Sequence, residues 1–403
     1  MENVGFLKAR FREYYLKNDI TLPPRFTRRE YGFMFFDKNY MIRHMSFRNR
    51  KMLRDFLVNS VPKHAYYSTA YYKHPEIQDM EEKTWLGADL VFDLDADHIP
   101  ETEGKSYKEM LEIVKIEAEK LVFSFLLDDF GFDERDVSIV FSGGRGYHIY
   151  VRRGDIYTLG SDERREIVSY ITGESMDAAK FIRIGEIKVG RKGKRTKYEL
   201  YPPEFGGWYG KLAKEIAKIS QNLKNVYENE GEEETVKEID SVLKNKKLAK
   251  RIVRELFKET QRNTAKIDYL ISEEQSKKLQ IFSRDEIRDA FLLYVKERIR
   301  IRGETDEPVT TDIHRLIRLI GSLHGKTGFL VKNISLEEFK SFNPLKDAIP
   351  NIFKENEVKV VSKDKVDIEM GGEKFTIDGE EIVPEYVAIF IIARGLGEFV
   401  ARI

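Results

Sequence analysis

The segment Ala88-Asp89-Leu90-Val91-Phe92-Asp93-Leu94-Asp95-Ala96-Asp97-His98 holds the residues best spaced for chemistry. Its apolar residues alternate with acids, as in a half-buried strand. Leu90, Phe92 and Leu94 then face a core. Asp93 and Asp95 share the opposite face, with Cα atoms about 6.6 Å apart. Two like charges side by side are costly unless a cation neutralises them. Carboxylates suit hard ions such as Mg²⁺ or Mn²⁺. Two such ions about 4 Å apart can activate a 3′-hydroxyl and stabilise a leaving pyrophosphate. Asp97 either caps the next segment or stands behind the metal ligands.

Two further segments fit the same chemistry. Ser142-Gly143-Gly144-Arg145-Gly146-Tyr147-His148 lies between two strand-like runs. Glycines permit a tight turn and let backbone N–H groups approach a phosphate. Arg145 offers a forked donor set and His148 a second donor. Farther on, Asp306-Glu307-Pro308-Val309-Thr310-Thr311-Asp312 precedes a basic run ending in Ser322-Leu323-His324-Gly325-Lys326. A nucleotidyl transferase needs one more carboxylate for its metals and several cations for a triphosphate. Asp306 can supply the first, and Arg318, His324 and Lys326 the second. Asp312 reads as the N-cap of a helix that carries Arg318.

The elements that must position these residues are α/β in texture. Residues 3–20 have helical periodicity. Tyr31–Phe36 and Tyr40–Ile42 read as a hairpin, and Phe47–Asn59 as a helix stopped by Pro62. Ala88–Asp95 reads as one strand, Tyr107–Phe130 as one long helix, and Val137–Phe141 and Tyr147–Val151 as strands around the glycine turn. Phe181–Ile187 and Tyr198–Tyr201 read as further strands. From about Lys211 to Arg298 the chain is Lys/Glu-rich and helical. We expect a catalytic core in two parts, 1–208 and 300–403, with a small helical domain, 209–299, inserted between them. Val358–Ile377 reads as antiparallel strands and Pro384–Arg394 as a last helix.

Composition narrows the field. The chain has 403 residues and is 41% hydrophobic, enough for a sizeable core. It has no cysteine, which excludes disulfides and thiolate-held zinc or iron–sulfur clusters. Lys+Arg and Asp+Glu both number 69, so nucleic-acid binding has to come from local patches rather than bulk charge. Met1–Arg12 is polar and charged, so no secretory leader is expected. The longest apolar stretch, Tyr386–Ala393, is far short of the roughly 20 residues that span a bilayer. The expected location is the cytoplasm.

Taken in order, the three segments resemble the catalytic small subunit of the archaeo-eukaryotic DNA primases. Phe92-Asp93-Leu94-Asp95 is similar to that family's metal-binding Asp-x-Asp. Ser142–His148 is similar to its Ser-Gly-x-Arg-Gly-x-His nucleotide-binding turn. Asp306 with Val309-Thr310, and then Ser322–Lys326, resemble its third acid and distal triphosphate site. The family pattern favours Asp306 over Asp312. Arg28–Phe33 and Ile42–Phe47 resemble its N-terminal region, where an arginine matching Arg43 reaches the active site. Ala65–Tyr72 followed by Lys83-Thr84-Trp85 resembles archaeal members, although most of those tyrosines read as core.

The resemblance implies a mixed α/β (α+β) primase core and template-directed primer synthesis from nucleoside triphosphates on single-stranded DNA. It implies Asp93, Asp95 and Asp306 as ligands of two Mg²⁺ or Mn²⁺ ions. Ser142, Arg145, His148, His324 and Lys326 hold the triphosphate in that scheme, joined by Arg43 and Arg318. It also implies a heterodimer with a large primase subunit that carries its own iron–sulfur cluster. Many members have a Cys-containing zinc motif between the Asp pair and the glycine turn. Here His98 is the single plausible ligand, so a structural zinc is not expected. Template contact is expected at backbone phosphates, from Arg48, Arg50, Lys51 and the run Arg191–Arg195. Two alternatives stay open: a stand-alone primase-polymerase or repair polymerase of the same superfamily, and a non-catalytic nucleic-acid-binding subunit.

Overall fold

The computed structural model describes residues 2–174, 182–189, 193–260, 264–271, 281–298 and 303–403. The chain divides into two compact units, Met1–Thr172 with Glu304–Ile403, and Gly173–Gly303. All three chemistry-bearing segments lie in the first.

The centre of the first unit is a four-stranded antiparallel sheet, ordered Lys332–Ile334, Val137–Phe141, Gly146–Val151, Leu90–Asp95. The acid strand forms because alternate residues can be buried. Leu90, Phe92 and Leu94 are no more than 1% exposed, while Asp93 and Asp95 stay partly open. A helix, Tyr107–Glu119, packs across this sheet. Ser106 and Glu109 start it with a reciprocal capping box. A second four-stranded sheet runs Leu316–Arg318, His64–Ser68, Tyr31–Met34, Met41–Met45. Tyr67, Tyr71 and Tyr72 are buried, so the tyrosine run does serve the core. The C-terminal third adds a sheet of Glu380–Pro384, Glu357–Val361 and Glu398–Arg402, with the apolar helix Glu385–Ala393 against it.

Four local readings need correction. Residues 88–95 are not one strand. Trp85–Ala88 pairs with Ala70–Tyr72, and Leu90–Asp95 pairs with Gly146–Val151. The chain changes sheet at Asp89, whose buried carboxylate is taken by Arg29 (2.8 Å), Arg152 (3.2 Å) and the Tyr71 hydroxyl. The long helix is α-helical to Glu119 and π-helical from Lys120 to Leu127. There Leu121, Val122, Phe125 and Leu126 are all buried, a wider face than an α-helical stripe presents. Arg318 is on a strand, not a helix. Leu316–Arg318 pairs with Tyr66–Ser68, and Asp312 ends the short helix Glu307–Thr311 rather than starting one. The last strand, Glu398–Arg402, was not foreseen.

The second unit contains a hairpin, Ile182–Val189 with Gly193–Leu200, and helices Gly207–Glu230, Glu232–Leu243, Lys246–Leu256 and Asp285–Arg298. These helices close a core of their own, which includes Leu212, Ile216, Leu223, Ile239, Ile252 and Phe291. Among the described residues no helix is long and apolar enough to cross a membrane.

Candidate active site

Strand register brings the first two segments together. Asp93 lies opposite His148, and Asp95 opposite Gly146. A side chain at position 146 has no room: a Cβ there would sit 2.0 Å from the Leu94 carbonyl oxygen. Glycine is needed because the turn presses against the acid strand. Asp306 joins through the backbone, its N–H donating to the Asp93 carbonyl at 2.9 Å. Asp306 occupies the N-cap position of Glu307–Thr311, yet its side chain makes no cap hydrogen bond. That leaves the carboxylate free to face the other acids. His98, exposed, has Nδ1 3.7 Å from its Oδ2.

The acids are electrostatically costly where they stand. Burial first, then the charges of Asp95 and Asp306, push the Asp93 carboxyl up to about 7. Arg145 supplies counter-charge, reaching Asp95 Oδ1 at 3.4 Å and also pairing with Asp97. Among the described residues no three His, Asp or Glu side chains already stand as a chelating cluster. The group these acids have to fit is a divalent ion. Their chemistry fits one: oxygen donors, like charges and no thiolate. Buried His148 adds a polar atom with no protein partner, Nδ1, while its Nε2 is 3.5 Å from Asp93 Oδ1. Burial, with Arg318 and Arg315 nearby, pulls its pKa down to about 3, so the ring is neutral.

A cavity of about 460 Å³ opens beside Asp95, lined by Arg145, Arg318, His324 and Lys326. Arg318 is fixed by its strand, with Nη1 2.8 Å from His64 Nδ1 and 3.3 Å from the Tyr66 hydroxyl. The turn at 324–328 is built for close approach. A Cβ at Gly325 would lie 2.4 Å from the Lys63 carbonyl oxygen. Thr327 donates its hydroxyl proton to the Gly143 carbonyl (2.6 Å) and lies 3.1 Å from His324 Nδ1. With that proton spent, His324 Nδ1–H is the donor and Nε2 is left as the acceptor edge. Burial, reinforced by Arg318, holds His324 well below its ordinary pKa. Ser142 is buried, its hydroxyl accepting from Gly144 N–H at 3.3 Å.

Placement is uneven for the rest. Arg43 pairs with buried Glu30 at 2.9 Å rather than with the acids. Arg48, Arg50 and Lys51 are exposed around the start of the helix Arg50–Ser60. In the basic run, Arg191 and Lys192 lie outside the described residues. Sequence reasoning missed Lys63, His64 and Arg394, of which Lys63 and Arg394 line the cavity. None carries a motif, and only the fold brings them to it.

The DNA primase small subunit family model matches residues 92–336. The DNA primase small subunit PriS of Methanothrix thermoacetophila is 42% identical, covering 98% of both chains. Those of Methanocella arvoryzae and Picrophilus torridus are 38% and 37% identical, covering 98% of both chains and 97% of both chains respectively. Asp93, Asp95, the glycine turn and Asp306 all fall inside the matched span. The chain belongs to the DNA primase small subunit family, nucleotidyltransferases that make primers for DNA replication.

Proposed function

We propose that Asp93, Asp95 and Asp306 hold two Mg²⁺ or Mn²⁺ ions, and that the cavity beside them takes the triphosphate of the incoming nucleotide. The observation that carries this is the meeting of three acids, distant in sequence, next to a cavity lined by Arg145, Arg318 and Lys326. When bound, the ions lower the pKa of the attacking 3′-hydroxyl and stabilise charge on the phosphoryl group. Asp93, raised to about 7, would have to lose its proton to the solvent before its carboxylate could hold a metal. Arg145 is released from Asp95 and turns its fork to phosphate oxygen. Ser142 donates its hydroxyl, and His324 lines the phosphate cavity as a neutral ring. Arg318 is already oriented by His64 and Tyr66. Arg43, paired with Glu30 at 2.9 Å, would have to leave that partner to reach the nucleotide.

We assign RNA primers on a single-stranded DNA template as the product, and a large primase subunit as the partner. Substitution of Asp93, Asp95 or Asp306 by Asn should cut primer synthesis by more than about a hundredfold, since loss of a supporting residue behind a metal ligand alone costs about ten- to a hundredfold. The test is incorporation of labelled nucleotide on single-stranded DNA with Mg²⁺ or Mn²⁺, with and without EDTA. It is run on the chain alone and with the large subunit. Asn variants that work at the wild-type rate would overturn the assignment.

A further inference from the structure

We infer that Arg394 is a ligand for the β- and γ-phosphates of the incoming nucleotide, an inference that rests on the placement of the triphosphate proposed above. Arg394 ends the helix Glu385–Ala393, remote in sequence from every other site residue. Its side chain lines the same cavity as Asp95, Arg145, His324 and Lys326. The guanidinium carbon lies 5.0 Å from the centre of the Tyr107 ring and 5.1 Å from that of Phe390. Tyr107 in turn donates its hydroxyl to the Gly144 carbonyl at 2.6 Å, within the glycine turn. Phe390 packs on Tyr107 at 5.4 Å and on Phe329 at 5.7 Å, next to the His-Gly-Lys turn. The helix end is thus tied to both phosphate-facing turns.

A guanidinium stacked on a ring keeps its edge donors available for a forked contact. Among the described residues no carboxylate pairs with Arg394, Lys63 or Lys326, and Asp95 is the sole acid lining the cavity. An arginine at a helix C-terminus also favours the helix dipole, which by itself explains a stabilising cation but not its place in this cavity. A nucleotide with its α-phosphate at the acids extends its two outer phosphates into the same space. The template strand has no need to enter it.

The experiment compares R394Q and R394K with the wild-type chain. Four quantities are read: KM and kcat for nucleoside triphosphate, inhibition by inorganic tripolyphosphate, affinity for single-stranded DNA, and Tm. A charged hydrogen-bond partner is worth about tenfold or more. R394Q should raise KM and the tripolyphosphate inhibition constant by about that factor, with kcat and DNA affinity little changed. R394K, which keeps the charge but loses the fork, should recover part of the loss. Unchanged KM and tripolyphosphate inhibition with a lowered Tm would reduce Arg394 to a helix-end role. A selective loss of DNA affinity would make it a template contact, and either result overturns the inference. If R394Q fails to fold, R394K carries the comparison. Wild-type chain that makes no primer but binds tripolyphosphate through Arg394 would sink the catalytic reading and leave this one standing.

Discussion

At the scale of single residues the acids stand in an electrostatic conflict that a bound cation would relieve. The Asp93 carboxyl has an ordinary value of 3.8 and a folded value of about 7. Between those limits the folded chain holds a proton that the unfolded chain has lost. The group's contribution to stability is full below about pH 4 and is lost as pH rises through 7. In EDTA at pH 8, D93N should therefore be more stable than the wild-type chain, by on the order of 2–4 kcal/mol at most. The gap should shrink as pH falls from 7 towards 4. Mn²⁺ should raise the wild-type Tm at pH 8 and leave that of D93N nearly unmoved. Thermal melts across this range check both signs. A D93N chain less stable than wild type in EDTA at pH 8 would mean the acids are not in conflict. The same logic leaves His148 neutral, so its ring adds no charge beside Asp93.

At the scale of elements, function depends on how tightly strand and turn meet. Gly146 has no space for a methyl group against the Leu94 carbonyl. Gly146→Ala should cost about 1–3 kcal/mol, as other overpacked positions do, and should reduce primer synthesis with it. Behind the acid strand, Asp89 is fully buried between Arg29 and Arg152, and Arg164 donates to the carbonyls of Ala88 and Asp89. Removing one partner of a buried ion pair strands the others. Asp89→Ala should lose about 3–5 kcal/mol by chemical denaturation, with Asp93 untouched in sequence. These elements also show what could be read in advance. Asp93, Asp95 and the Ser142–His148 turn stand out in the sequence because alternation and glycine spacing are local signals, whereas Asp306 is preferred over Asp312 only through the resemblance to the family. The break at Asp89 was not legible, since an acid amid apolar residues looks the same whether it faces solvent or three buried partners. Arg318 was misassigned to a helix because three residues of strand leave too short a period to recognise. Arg394 gave no signal, because its meaning comes from a ring and a turn that belong to other parts of the chain.

At the scale of the whole molecule, equal numbers of cations and anions coexist with a binding activity that requires asymmetry. The relatives are DNA primase small subunits, and the proposed function calls for a surface that meets a phosphate backbone as well as a nucleotide. The asymmetry is local. Arg145, Arg318, Lys326, Lys63 and Arg394 converge on one cavity, while Arg48, Arg50 and Lys51 lie exposed around a helix start. The first group is proposed to serve the nucleotide and the second the template, and ionic strength separates them. Each template phosphate contact releases condensed counter-ions, giving a log–log salt slope of roughly −0.7 per contact on a single strand. Changing Arg48, Arg50 or Lys51 to Ala should therefore flatten the salt dependence of single-stranded DNA binding by about 0.7 for each true contact. KM for nucleotide at saturating template should stay where it was. Fluorescence anisotropy of a labelled oligonucleotide across a salt series measures the slope directly. If the slope is the same in all three variants, the template runs elsewhere on the chain, and the exposed cations at this helix start serve solubility alone.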